Sequence, residues 1–404
     1  QTAQKVAIYI FPLSNGNIVF AAFCQISYTR ARTKHKGEKQ VEKWKEIIVM
    51  ATMKAAVMYG PNDIRYEDTE KPVCPQDGLI LKIMAVGLCG SDIRNLTSDS
   101  RKGNYPFIYG HEIVGVVDEV GPETTKYKVG DRLYLFPGTY CMECDNCISG
   151  HSENCENEHV AKLAGTGGFA QYIAVGGEKI KYGGIYRIPE GIKYEAASLG
   201  EPLTSVYACE DNIGVGYNDV VVIIGAGPIG CFMTKLAKLR GAKTVIMIDI
   251  NQMRLDQVKQ FGADYIINSK DQDPVAAVKE LTNGKGADKV ISANPSTATQ
   301  QPALEMVKKG GLVVFFGGVP KGAMTELDTN LIHYNNIWIK GHFGASYMQS
   351  KKAFELAISP EFDASKFVTH RLPLEDITKG IELTRTEAIK VVLFPNGMNP
   401  DEEA

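Results

Sequence analysis

Four of the nine cysteines fall within fifteen residues: Cys141, Cys144, Cys147 and Cys155. The spacing C-x2-C-x2-C-x7-C, in a stretch rich in Gly, Asn, Ser and Glu, suits four thiolates around one tetrahedral Zn²⁺ at Zn–S distances of about 2.3 Å. Disulfides fit less well, because C-x2-C pairs close strained rings and the rest of the chain reads as intracellular. A ferredoxin-type iron–sulfur run places its fourth Cys four residues after the third and follows it with Pro. Here the gap is eight residues and Glu156 follows. With Cys at all four positions no coordination position stays open, so this zinc is expected to be structural. Cys24, Cys74, Cys209 and Cys231 have no ligand-like spacing and read as small apolar residues.

A second pattern is Gly87-Leu88-Cys89-Gly90-Ser91-Asp92 followed by Gly110-His111-Glu112. A Cys and a His 22 residues apart are weak evidence alone, since a buried thiol and a satisfied imidazole explain such a pair as well. Three features favour an open metal site. A hydroxyl, Ser91, sits two residues after the Cys; Asp92 and Glu112 flank the two candidate ligands; a closed zinc lobe follows. Gly200-Glu201-Pro202-Leu203 supplies one more carboxylate, whose plain reading is a surface Glu before a turn-forming Pro.

The third pattern is a phosphate cradle. Asp219 to Ile224 is one acidic residue and a continuous apolar run, as a buried parallel strand requires. It enters Gly225-x-Gly227-Pro228-Ile229-Gly230 directly, and helical apolar spacing continues from Cys231 to Leu239. A second strand, Thr244 to Ile248, ends at Asp249, 19 residues past Gly230. Strand, glycines, helix, strand and acid in one βαβ unit predict dinucleotide binding. The glycines admit the pyrophosphate to the helix N-terminus. Asp249 is expected to accept from the ribose hydroxyls and to repel a 2′-phosphate, favouring NAD over NADP. Arg254 reads as a helix-surface or adenine-stacking residue rather than a phosphate clamp.

These groups need a scaffold. The chain of 404 residues, 44% hydrophobic and 23% charged, with 40 Gly and a net charge of −3, suggests two or three domains. No block of like charge marks a nucleic-acid binder, and no run reaches the roughly 18 apolar residues of a membrane span. Residues 1–52 carry a net charge of +5 and the remainder −8. The apolar stretch Val6 to Cys24 is broken by Ser14-Asn15-Gly16-Asn17, and a basic run from Arg30 to Lys45 follows. This segment is expected to be a non-native or flexible leader, with the native start at Met50 or Met53. A strand pattern begins at Met53. Beyond the βαβ unit, strands are predicted at Tyr265–Ile267, Lys289–Ser292, Leu312–Phe316 and Ile337–Ile339. Helices are predicted at Pro274–Leu281 and Ala298–Lys308.

In their order and separations these motifs resemble the zinc-containing medium-chain alcohol/polyol dehydrogenases, the sorbitol-dehydrogenase-like branch in particular, from Met53 to about Gly397. The resemblance implies an α/β protein with a GroES-like, mostly β catalytic domain at 53–200, a doubly wound Rossmann NAD-binding domain at 201–342, and a return to the catalytic domain at 343–404. It implies a catalytic zinc held by Cys89 and His111, with Glu112 and Glu201 ligating directly or through water. Asp92 would orient His111, and Ser91 would carry the substrate proton. Val319, in Gly317-Gly318-Val319-Pro320, would lie beside the nicotinamide. Lys390 stands where a basic residue often meets the pyrophosphate, although a solvated Lys reads equally well.

Two departures stand out. Many relatives place a relay His five residues after the ligand Cys, where this chain has Arg94, which cannot shuttle a proton. Sorbitol-type enzymes carry an Arg-Tyr pair near Gly344-Ala345, absent here. Arg94, Arg101 and Lys102 read as solvated loop charges in preference to an anion site. The expectation is a cytoplasmic, zinc-dependent enzyme transferring hydride between a secondary alcohol of a polyol, cyclitol or sugar derivative and NAD. Its partners would be small molecules, without nucleic acid or membrane, in a homodimer or homotetramer. The alternatives are a dehydrogenase of another alcohol or of an amino alcohol such as threonine, or a non-catalytic NAD- and zinc-binding protein.

Overall fold

The computed structural model describes residues 9–12, 18–21, 51–98, 103–157, 159–160 and 167–398. Two compact units are present, Gln1–Thr52 and Met53–Ala404. In the first, β1 (Tyr9–Pro12) and β2 (Ile18–Ala21) pair antiparallel on either side of the Ser14–Asn17 break. Cys24, the basic run, Arg101 and Lys102 lie outside the described residues. Among the described residues, no helix is long and apolar enough to cross a membrane.

The second unit opens with β3 (Thr52–Gly60), β4 (Asp63–Glu70) and β6 (Phe107–Ile108), which form a three-stranded sheet. A seven-stranded sheet is centred on β5 (Leu79–Leu88), which pairs with β7 (Glu112–Val120) and, at one end, with β9 (Tyr172–Val175). β7 continues to β8 (Arg132–Thr139) and β10 (Gly183–Arg187). β5 is apolar almost throughout because both its faces are covered. Met84 and Ala85 belong to one core, Leu81, Ile83 and Val86 to another.

The remaining sheet is parallel and six-stranded: β11 (Val220–Ile224), β12 (Thr244–Asp249), β13 (Tyr265–Asn268), β14 (Ala287–Ser292), β15 (Val307–Phe315) and β16 (Trp338–Gly341). Its spatial order, β13-β12-β11-β14-β15-β16, is the 3-2-1-4-5-6 order of the dinucleotide fold, with the order of winding reversing between the parallel neighbours β11 and β14. The GroES-like and Rossmann expectation for the fold class is met. Several local boundaries differ. The helix expected over Ala298–Lys308 is confined to Gln300–Met306, because Val307 is already extended and pairs with Ala287 across an irregular register. The last strand is shifted to Trp338–Gly341, since Ile337 still packs in the core below it.

After β16 the chain crosses back. Ser346 and Gln349 cap each other's backbone groups at the start of the helix Tyr347–Ala357, a reciprocal arrangement that satisfies two orphan donors. Phe354 on that helix stacks on Tyr134 of β8, ring centroids 4.8 Å apart. β17 (Val368–Pro373) and β18 (Lys390–Phe394) then join the seven-stranded sheet, β18 running antiparallel to β5 with Leu393 opposite Val86.

Candidate active site

The register of β5 against β7 builds the first cluster. Gly87 lies opposite Glu112, so Cys89, just past the end of β5, comes level with the residues just before β7. The thiol of Cys89, the imidazole of His111 and a carboxylate oxygen of Glu112 lie within 4.8 Å of one another. Gly87 is required here: a Cβ at that position would sit 1.7 Å from Glu112 Oε2. Cys89 caps the short helix Gly90–Leu96, which directs Ser91 and Asp92 back at the cluster. His111 Nδ1 donates to buried Asp92 Oδ1 at 3.1 Å, and the other Asp92 oxygen accepts from the Cys89 backbone N–H at 3.1 Å. Nε2 of His111 is thereby left facing the cluster. Ser91 Oγ donates to Cys89 Sγ at 3.2 Å and stands 3.5 Å from His111 Nε2. Glu201, in the first turn of the helix Gly200–Asn212, brings Oε2 to 3.9 Å from the same nitrogen.

The charges are coupled. Burial pushes the Glu201 carboxyl up to about 7, against the pull of His111. Burial opposes charge on His111, but Asp92 and Glu201 beside it hold its proton affinity well above the usual value. Lys390 corrects the sequence reading: it is neither solvated nor free to meet a phosphate. It is buried, its ammonium lies 2.5 Å from Glu112 Oε1, and it also donates to Leu88 O at 3.3 Å. Burial works against its charge, and Glu112 restores it. The second Glu112 oxygen, Oε2, is buried without a hydrogen-bond partner. A soft thiol, an imidazole and a carboxylate oxygen with no other partner make a donor set that fits zinc.

The four-cysteine lobe is a different object. Cys141, Cys144, Cys147 and Cys155 bring all four Sγ atoms within 4.8 Å of one another. Backbone N–H groups serve the sulfurs: Cys141 N donates to Cys155 Sγ at 3.4 Å and Cys144 N to Cys141 Sγ at 3.3 Å. Main-chain donors of Glu156 and Cys147 lower the Cys144 thiol to about 7, whereas burial raises Cys147 to about 12. A cluster made only of sulfurs fits a closed zinc site. Cys209 and Cys231 are buried and Cys74 half-buried, all as free thiols.

At the nucleotide end, Gly225 adopts φ +118°, a conformation natural to glycine. A Cβ on Gly230 would strike Gly225 O at 1.9 Å, so the helix starting at Pro228 packs hard against the loop. Ile229 sits in the first turn of that helix, half-buried. Beside it a cavity of about 470 Å³ is lined by Gly225, Asp249, Arg254, Ser269, Asn294 and Thr299, among others. Asp249 Oδ2 accepts from Ala226 N at 2.7 Å and Oδ1 from Asn251 N at 2.8 Å. Arg254 donates to Arg385 O at 3.1 Å. Val319 lies half-buried in the loop that follows β15. Arg94 is exposed on its short helix.

Residues 75–182 match the alcohol dehydrogenase GroES-like domain family, and residues 228–359 the zinc-binding dehydrogenase family. The chain is 33% identical to the sorbitol dehydrogenase of Bacillus subtilis (strain 168), over 86% of this chain and 99% of that protein. The chain belongs to the zinc-containing medium-chain alcohol/polyol dehydrogenases. It is also 32% identical to the L-threonine 3-dehydrogenase of the same organism, over 81% of this chain and 94% of that protein. Among solved structures it is similar to alcohol dehydrogenase TADH from Thermus sp. ATN1, with a TM-score of 0.73 and 26% identity over 85% of this chain and 99% of that one. As a member of this family the protein is an oxidoreductase of CH–OH groups that uses zinc and a nicotinamide dinucleotide. Two features of the dehydrogenase site had no signature in the sequence. Glu112 and Lys390 are 278 positions apart, and His342 and Ser205, 137 positions apart, meet where the end of β16 lies against the helix Gly200–Asn212.

Proposed function

We propose that this dehydrogenase interconverts a secondary alcohol of a polyol, cyclitol or sugar derivative and its ketone, with NAD as the hydride carrier. The observation that carries the reading is the convergence of Cys89, His111 and the unpartnered Glu112 Oε2, with Glu201 facing them. These residues would hold the catalytic zinc, and Cys141, Cys144, Cys147 and Cys155 the structural one. When bound, zinc supplies a Lewis acid for the alcohol oxygen and the dinucleotide supplies the hydride acceptor. Asp92 fixes the tautomer of His111, as a carboxylate behind a ligand imidazole does. Ser91 Oγ would relay the substrate proton, accepting it as its own proton passes on. Arg94 keeps its own proton, so the onward route runs through water or the carboxylates. Asp249 favours NAD, and Arg254, held on a carbonyl, is not presented as a phosphate clamp.

The division into a catalytic domain at 53–200 and 343–404 and a nucleotide domain at 201–342 belongs to the same proposal, as does a cytoplasmic location, which the free thiols suit. So does self-association as a homodimer or homotetramer. β16 is the last strand of its sheet and is exposed along its length, Trp338 included, and such an edge pairs readily with a second copy. Light scattering at micromolar concentration measures this, and a monomer would refute it.

A second reading, oxidation of an amino alcohol such as threonine, is favoured by one observation. At Gly344, φ is +76° and a Cβ would approach that of Glu153 to 3.2 Å, so a side chain such as the Arg that sorbitol-type enzymes carry near this position would strain the backbone and crowd Glu153. The test is a screen of polyols, inositols, sugar phosphates, simple secondary alcohols and L-threonine with NAD and NADP, read as absorbance of the reduced cofactor. Turnover of L-threonine alone would replace the polyol reading by the second one. Turnover only with NADP would overturn the role of Asp249. An absence of dinucleotide reduction that zinc addition does not relieve would overturn both readings.

A further inference from the structure

His342 follows β16 directly, at the carboxyl edge of the parallel sheet, the edge where such folds bind their ligands. Three contacts hold its ring and backbone. Its backbone N–H donates to Phe315 O at 3.2 Å. Its imidazole stacks on Phe316, the first residue after β15, with centroids 5.3 Å apart and planes 13° from parallel. Its Nε2 stands 3.4 Å from Ser205 Oγ. Ser205 lies on the helix Gly200–Asn212, four residues after Glu201. Residues four apart share a helix face, about one turn along the axis. One side chain therefore spans from the end of the Rossmann sheet to the helix that carries a proposed metal ligand.

We propose that His342 is a positioning residue for hydride transfer: through Ser205 and Phe316 it locks the loops after β15 and β16 against the helix bearing Glu201, and so sets the separation of the pyridine ring from the reacting carbon. The inference rests on the dehydrogenase reading and adds a role that reading does not use. Burial lowers the proton affinity of His342, which favours the uncharged ring that suits a stacking and hydrogen-bonding spacer. A neutral imidazole flat against a phenyl ring, with its far nitrogen on a hydroxyl, has little freedom left. Hydride transfer is steep in distance, and a misplacement of about 1 Å costs on the order of a hundredfold. Rigidity at this joint is therefore worth having.

The test uses the full-length, zinc-loaded protein and His342→Ala, His342→Gln and Ser205→Ala, with NADH as the probe. The fluorescence of bound NADH reports the surroundings of its pyridine ring without needing the alcohol to be known. His342→Ala should lose most of the emission enhancement expected of the wild type, while zinc content, melting temperature and NADH affinity change little. With the alcohol found in the screen, kcat should fall about tenfold, KM for NAD should move less than kcat, and the deuterium isotope effect should rise. His342→Gln, which keeps an amide N–H for Ser205, should recover part of both signals. Ser205→Ala should reproduce the loss without adding to it in the double variant. Wild-type emission and isotope effect in His342→Ala would overturn the inference while leaving the dehydrogenase reading intact. A wild-type protein that binds no NADH would remove both.

Discussion

The molecule carries two thiol-containing clusters of opposite construction. The closed one is assembled inside a single loop, four sulfurs from Cys141 to Cys155, with main-chain N–H groups of the same loop serving the sulfurs. The open one draws Cys89 from the end of β5, His111 from the start of β7 and Glu201 from a helix some 90 positions further on. Its buried Lys390–Glu112 ion pair reaches across to β18. A site meant to hold a lobe together is local, uniform and saturated. A site meant to do chemistry mixes donor types and leaves one oxygen, Glu112 Oε2, unpartnered.

If that contrast is right, damage to each cluster should have a different signature. The largest effect is expected at the closed one. A structural zinc in a small peptide is worth roughly 10–16 kcal/mol, and the four sulfurs of the lobe converge on one point. Cys144→Ser should therefore lower the zinc content from two to one per chain and depress the melting temperature, measured by elemental analysis and calorimetry. A variant of unchanged stability would break the comparison. At the open cluster His111→Ala should reduce turnover to background with the melting temperature nearly preserved. Asp92→Asn, acting through His111, should cost about 10–100-fold. Steady-state rates beside thermal melts separate the two.

Lys390 tests whether the open site also has a structural duty. Its ion pair with Glu112 is almost completely buried, and removing one partner of such a pair typically costs about 3–5 kcal/mol. Lys390→Met should show that loss in denaturant titrations, and adding Glu112→Gln should recover most of it. The smallest effect concerns the strand that leads into the closed lobe. Lys179 donates to Phe136 O and Pro137 O, both at 2.9 Å, and to Gly138 O at 3.3 Å. Burial pushes its ammonium down to about 7 from an ordinary 10.5. Between those values the unfolded chain binds the extra proton, so the contribution of Lys179 to stability rises with pH. The melting-temperature advantage of the wild type over Lys179→Met should widen from pH 6 to pH 9. A gap that stays constant or narrows would contradict the depressed proton affinity.

Much of this was legible in the linear chain. The four-cysteine spacing, the glycine fingerprint leading into the helix at Pro228, and the apolar runs that became β11, β12 and β13 are local patterns, and local patterns have local signatures. The helix expected over Pro274–Leu281 is found at those bounds. The strand expected from Leu312 begins five residues early, at Val307, because pairing with Ala287 recruits polar residues that no hydrophobic pattern marks. Lys390 was misread for a related reason. A lone Lys at the start of a strand looks like a solvated one until its neighbour is known, and that neighbour, Glu112, lies two strands away.

The linear chain marked out the elements and the donors: which segments are buried strands, which glycines leave space for a phosphate, and which thiols, imidazole and acids could hold an ion. These follow from periodicity, spacing and side-chain chemistry, all of them properties of near neighbours in the chain. Folding alone revealed which donors share a site, that Glu112 is clasped by Lys390, and that His342 contacts both Phe316 and the helix of Glu201. Those relations depend on strand register and on the packing of a helix against a sheet, where residues more than a hundred positions apart meet through space.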